Sequence, residues 1–552
     1  MKEGTATGIA AVRGILVREP WNSLSRVIGN GLFHTLLEPR RRTERAEGRS
    51  WTAGAPMLLL LFLAAMLSGQ GLAAGATIFA DSNISGDCVG RYDPGTRSCG
   101  NGSDDAYGTL GGAVAVARAG DTVLLRGGAF HETLSPARSG APDNSISFKG
   151  YPGETATLSG VNEPAILLKN LSWLVIEGLT VTDALGWGRV EGSNDIILRN
   201  NRFSRAIARG TTGGLKFVKS SRNFILNNTF DEGNDSLVLQ ESDRNVVQGN
   251  AFTSARHSLL SIRCGNFNVI RGNRFHNEYQ KAAEIYDCEG VSDAPVKLDA
   301  TKHNLFEGNA FSRTRGSGRD YRYNGIQYCG QNGIVRRNVF HGNEGGALNF
   351  QVYPNEALYN NGNHVFNNTF YSNRCYGLSA SPASDRGRYF GNIVKNNIFY
   401  KNTDCDGRAN QTSIGNTKAV KVERNAVLTA SPSFVDEERN DLRLAAGSPM
   451  IDSGGFVTRT VGAGTGKDLK VEDAGYFFDG FGIPGEIGDL IQLEGEPSTA
   501  RVVRIDYANR TLTLDQSLTW TRGQYLHLQY SGVRPDMGAF EFQSDTIIPP
   551  LR

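Results

Sequence analysis

From Leu215 onward, apolar and polar residues alternate in short bursts. Leu215/Phe217, Leu237/Leu239 and Leu260/Ile262 each skip one residue, the period of two that marks a half-buried strand. The bursts are separated by one recurring motif: "NFILNNTF" at Asn223–Phe230, "NVVQGNAF" at Asn245–Phe252 and "NVIRGNRF" at Asn268–Phe275. The second Asn of the motif returns at Asn201, Asn228, Asn250, Asn273, Asn309, Asn338, Asn368 and Asn397. Each unit has room for about three short strands and their turns.

One such unit cannot bury its own apolar side, whereas stacked units form a continuous core. The pattern therefore predicts an all-β fold, a right-handed parallel β-helix, each repeat one coil rising by about 4.8 Å. Stacked Asn side chains would form a ladder, and the Phe two residues later would stack inside. The repeated Asn is thus scaffold. A short helix over Leu110–Ala119 would cap the first coils, because an open sheet end invites aggregation.

The remaining chain divides around this stack. Residues 1–54 are irregular and end in a basic run, Arg40, Arg41, Arg42, Arg45 and Arg49. Residues 55–76 carry an apolar core followed by small residues, as a secretory signal does; an uncleaved membrane anchor is the other reading. The β-helix is expected over 77–455. A β-rich insertion follows over 456–533, where "DLIQLEG", "ARVVRIDYANRTLTLD" and "QYLHLQY" alternate like a small antiparallel module. A closing segment ends the chain over 534–552.

Composition sharpens this picture in two ways. The net charge of +2 over 552 residues offers no global field for nucleic acid. The chain has seven Cys, and export permits disulfides. Cys88 and Cys99 flank a short loop and are expected to pair. Cys375 and Cys405 form a further candidate, leaving Cys329 over.

Aligning the strands that precede each Asn predicts which side chains face out. Leu215, Leu237, Leu260, Ala283, Ile326 and Leu348 point inward, as do Phe217, Leu239, Ile262, Ile285, Tyr328 and Phe350. One outer row is then Lys216, Val238, Ser261, Glu284, Gln327, Asn349. The other is Val218, Gln240, Arg263, Tyr286, Cys329, Gln351. His257 would also face out, with Arg271 and the loop His276–Lys281 at the rim. Arg263, Tyr286, Glu284 and His257 are the catalytic candidates. Lys216, Gln240, Arg271, Gln327, Asn349 and Gln351 are the candidates for substrate binding. A solvated face carrying charges is the competing reading. The same alignment sets Cys264 within disulfide reach of Cys288 on the next coil.

"GDTVLLRGGAFHETL" and "ISFKGYPGETATLSG" resemble the first coils of secreted parallel β-helix proteins of the polysaccharide lyase type. "LRLAAGSPMIDSGG" (Leu442–Gly455) and "RPDMGAFEF" (Arg534–Phe542) resemble that group's closing segments. The resemblance implies a monomeric secreted, periplasmic or cell-surface protein acting on an acidic polysaccharide by β-elimination. "FVKSSRNFILNNTF" (Phe217–Phe230) resembles the segment that carries the catalytic lysine of the alginate lyase and chondroitinase B group, which places that role on Lys219. The next coil of that group has an Arg-His-Gly trio, where this chain reads Gln240-Glu241-Ser242. Calcium is the group's cofactor, yet its carboxylates are missing from "RGTTGG" at Arg209–Gly214. A glycoside hydrolase on the same fold, with Glu284 paired to Glu241 or Asp287, is an alternative. A carbohydrate-binding adhesive protein without catalysis is another.

Overall fold

The computed structural model describes residues 75–208, 213–286, 301–315, 323–350, 360–380, 389–414 and 420–543. The expected N-terminal extension, nearly all of the signal segment, Asp287, Cys288 and Gln351 lie outside the described residues.

Three long sheets run the length of a coil stack, with 16, 12 and 10 strands. In each coil the chain visits the three in turn, as in Phe224–Leu226, Thr229–Asp231 and Asp235–Gln240. Each strand then pairs in parallel with its counterpart one coil on, Phe224 with Val246, Phe230 with Phe252 and Leu237 with Leu260.

The Asn ladder forms at the corner between the first and second sheets. Asn250 Oδ1 accepts from the backbone N–H of Asn228 at 2.8 Å and from its Nδ2 at 3.1 Å. Asn250 Nδ2 donates to the Ile225 carbonyl at 2.8 Å. The same exchange runs from Asn201 to Asn425. Each buried amide is thereby satisfied, where an orphan would cost about 1–3 kcal/mol. The left-handed residue of this corner is the one before the ladder Asn: Asn227 (φ 54°), Gly249 (φ 68°) and Gly272 (φ 61°). Inside, Phe203, Phe230, Phe252, Phe275, Phe311, Phe340, Phe370 and Phe399 form one column, with ring centroids 4.6–4.9 Å apart.

The capping helix spans Leu110–Val116, opens on Thr109, and buries Leu110, Ala113 and Val114. It ends short of Ala119 because Asp121 accepts the Arg118 N–H at 2.8 Å and turns the chain into the next strand. Disulfides join Cys88 to Cys99 and Cys375 to Cys405. Cys264 is also disulfide-bonded.

Two later segments cover outer faces of the stack. A six-stranded antiparallel sheet between Thr458 and Leu528 packs Leu469, Phe478, Ile491 and Leu526 against Val246, Val269, Leu305 and Ile334 of the first sheet. The hairpin Phe434–Asp436/Asp441–Leu444 and Ala539 cover Val339, Tyr371 and Ile398 of the second sheet. Among the described residues, the site lies on the third sheet.

Candidate active site

The third sheet carries the predicted rows in register. Arg189, Lys216, Val238, Ser261, Glu284, Gln327, Asn349 and Ser379 pair strand to strand along one outer row. Val218, Gln240, Arg263 and Tyr286 form the other. That row does not continue to Cys329: its strand ends at Tyr328, and Cys329 is buried.

Strict alternation fails at one place, and the site depends on it. Asp235, Ser258 and Lys281 pair in register, and so do Leu237, Leu260 and Ala283; the ladder passes over Ser236, Leu259 and Ala282 between them. Leu259 and Leu260 both lie in the core, as do Ala282 and Ala283. Two successive inward residues kink the strand as a bulge does. The residues before the kink then share the outer side with Ser261 and Glu284.

These positions close into one cluster. Asp235, 2% exposed, accepts from His257 Nδ1 at 2.6 Å and from Ser258 Oγ at 2.8 Å. Glu284, 1% exposed, accepts from Ser261 Oγ at 2.9 Å and from the Arg263 guanidinium at 3.1 Å. Lys281 Nζ lies 2.5 Å from Glu284 and 3.1 Å from Gln327 Oε1. Arg263 also donates to Ser261 Oγ at 3.0 Å, and its guanidinium sits 5.0 Å from the Tyr286 ring centre. The His257 side chain remains 37% exposed.

Burial by itself would push both carboxyls up. It is outweighed at Asp235 by the His257 bond, the Arg263 charge and the Ser258 hydroxyl, and at Glu284 by the charges of Lys281, His257 and Arg263. Both therefore stay below the ordinary carboxylate range and ionised. An ionised Asp235 makes Nδ1 the protonated nitrogen of neutral His257 and leaves Nε2 as the acceptor. This Asp–His pair can move a proton at the groove surface.

Asp235, His257 and Glu284 also bring three ligand atoms within 4.8 Å of one another. A hard dication needs open carboxylate oxygens, whereas here Lys281 and Arg263 occupy Glu284 while His257 occupies Asp235. The donor set does not fit calcium.

Other predicted residues fall outside the cluster. Lys219 is exposed at the turn after Leu215–Val218, with φ 49°. Arg271 corrects an expectation: it lies on the first sheet and pairs with Glu307 at 3.1 Å and Glu486 at 2.7 Å, fastening the C-terminal module. Gln240 stands beside Arg263 in the ladder. Asn349, farther along, donates to Ser379 Oγ at 2.6 Å. Lys216 is half-buried, and among the described residues its ammonium makes no hydrogen bond or ion pair. Burial, Arg189 and Arg263 push its pKa down. Sequence reasoning missed Asp235 and Ser258 because period two turns them inward, and it placed Lys281 in a rim loop where the structure puts it at the start of the strand Lys281–Tyr286. The doubled apolar pairs Leu259-Leu260 and Ala282-Ala283 at the same point of successive coils were the available signal.

A family model described as right handed beta helix region matches residues 164–294 and 213–399. The coil stack is a right-handed parallel β-helix. The uncharacterized protein YwoF of Bacillus subtilis (strain 168) is 26% identical over 363 residues, which cover 60% of this chain and 74% of that protein. Among solved structures, pectate lyase Pel9A shares 13% identity at a TM-score of 0.42, covering 85% of this β-helix chain and 96% of the lyase. The PL6 family polysaccharide lyase Pedsa3628 from Pseudopedobacter saltans shares 14% identity at a TM-score of 0.40, covering 63% and 96%.

Proposed function

We propose that the protein cleaves an acidic, uronate-bearing polysaccharide by β-elimination along the third sheet. The observation that carries this reading is the Asp235–His257 pair set beside Arg263. In this mechanism Arg263 and Lys216 hold the uronate carboxylate and make the C5 proton more acidic. His257 Nε2 removes that proton. The electron pair forms the C4–C5 double bond as the C4–O bond breaks, and the Tyr286 hydroxyl protonates the leaving oxygen. Asp235 stabilises the resulting imidazolium. Glu284, Ser261 and Lys281 fix Arg263 and do not touch the sugar.

The half-buried Lys216 ammonium supports an acidic ligand: burial, Arg189 and Arg263 outweigh the pull of Asp235 and Glu191 on it, and an arriving carboxylate would offset that cost. Hydrolysis is disfavoured by the carboxyls. A glycosidase acid must keep its proton, yet Asp235 and Glu284 are buried and held ionised. Disulfides at Cys88–Cys99 and Cys375–Cys405 fit an oxidising compartment outside the cytosol.

Incubation with alginate, pectate and chondroitin, followed by the absorbance of the unsaturated uronate product, tests the reading. One of the three should generate absorbance, and His257→Ala should slow its appearance by about 10²–10⁴-fold. New reducing ends without absorbance would replace elimination by hydrolysis. Binding without either product would leave an adhesive protein.

A further inference from the structure

The C-terminal module creates a second concave surface, away from the third sheet. A cleft of about 770 Å³ lies between the last coils of the first sheet and the module. Its two walls differ in chemistry.

The coil wall is cationic. Lys395, Lys421 and Arg424 stand around a single carboxylate, Glu423. Lys421 approaches Glu423 at 2.6 Å and Lys395 at 3.6 Å. Arg424 is exposed and makes no side-chain hydrogen bond or ion pair among the described residues. Burial and the neighbouring Lys421 and Arg424 push the Lys395 ammonium down, against the pull of Glu423. This wall therefore has more cations than its own anion can balance.

The module wall is aromatic and also carries three carboxylates, Glu472 and Asp473, which are paired to Arg459 and His364, and Glu494. Tyr525 is 44% exposed and stacks on buried Phe456, with centroids 5.8 Å apart and planes 20° from parallel. Phe456 fixes the exposed ring as a flat platform. Arg459 is held beside it by Glu472 at 2.8 Å. Arg534 lines the same wall, exposed and with no side-chain partner among the described residues. A rigid aromatic face with polar groups at its edge suits a sugar ring, whose C–H face stacks while its hydroxyls bond laterally.

We propose that this cleft is a second saccharide-binding site, taking a uronate-bearing oligosaccharide with its carboxylate on Lys395, Lys421 and Arg424 and a ring on Tyr525. The class of ligand rests on the proposed function, but the site needs none of the groove residues. It would hold one stretch of a polymer while another lies in the groove, raising the local concentration of the polymer at the reacting groups.

The test is calorimetric titration of the full chain carrying His257→Ala, which slows turnover. The probes are trigalacturonate, trimannuronate and, as a neutral control, xylotriose. We expect one acidic trisaccharide to bind with an affinity that survives Arg263→Ala and falls at least tenfold in Tyr525→Ala and in Lys421→Ser. Xylotriose should bind at least tenfold more weakly. Tyr525 and Lys421 are exposed, so circular dichroism can verify that both variants fold. Binding lost with Arg263→Ala but unchanged by Tyr525→Ala and Lys421→Ser overturns the second site and leaves the groove reading intact. Equal binding of xylotriose overturns the charge argument. Absence of binding by either acidic trimer overturns the proposal, and the absorbance assay on polymer then judges the groove independently.

Discussion

Two buried charge clusters sit on two outer faces of one solenoid. On the first sheet, Arg336 pairs with Glu307 at 2.8 Å and grips Asp489 through two bonds of 2.7 and 2.6 Å. Arg271 completes it with Glu307 and Glu486. Although burial opposes ionisation, Arg336 and Arg271 hold Glu307 down to about 2. On the third sheet, Arg263 and Lys281 hold Glu284 in the same manner. The difference is His257. The first cluster lies against the module and consists of arginines and carboxylates alone. The second presents an imidazole to solvent above a buried carboxylate. Density of paired charge is common to both faces; the exposed imidazole anchored by the second cluster is what the proposed site rests on.

The widest separation between the clusters should appear in activity. His257→Ala should lower turnover by about 10²–10⁴-fold, measured as initial rates on the polysaccharide that the absorbance screen identifies. Its urea midpoint should move less than that of Arg336→Ala; equal shifts would make the two clusters the same kind of structural clamp.

Arg336→Ala should destabilise by about 3 kcal/mol, because it leaves the part-buried Asp489 charged and without its arginine while Glu307 keeps only Arg271. Chemical denaturation followed by tryptophan fluorescence reads this.

A third effect belongs to the closing segment next to the first cluster. Burial, and then the Asp536 charge, raise the Glu541 carboxyl to about 7. A carboxyl raised in the folded state favours the protonated protein. Its stabilising contribution is complete below about 4.5 and is lost as pH rises through about 7. Glu541→Gln should therefore flatten the fall in stability across that window, gaining up to about 3 kcal/mol at pH above it. Thermal melts at several pH values decide this, and parallel pH curves for the two proteins would refute it.

The smallest effect serves as a control. Arg205 and Asp183 make a close pair on the second sheet's surface, with side chains 57% and 49% exposed. Arg205→Ala should change stability by less than about 1 kcal/mol, as read from the same melts. A larger loss would mean that exposure does not separate the charge pairs of this molecule.

Much of the fold was legible in the chain. The Asn and Phe recur at one place in every coil, so a single repeat predicts its stacking partners, and both inner rows of the third sheet follow from period two. Arg263, Glu284, Tyr286 and His257 were legible by the same rule. Arg271 obeyed an equally regular pattern and was misplaced. Its surroundings come from Glu486, 215 residues away, and no local periodicity encodes that contact. Asp235 and Ser258 were hidden for the opposite reason: a local kink reverses the face that alternation assigns.

The sequence by itself determined the repeat, the ladder, the core column and which strands carry polar rows, because each depends on neighbours at a fixed chain interval. The tertiary structure decided which outer face the module seals and which charges meet beneath His257. Those outcomes depend on packing between segments far apart in the chain and on a doubled apolar pair turning both side chains into the core.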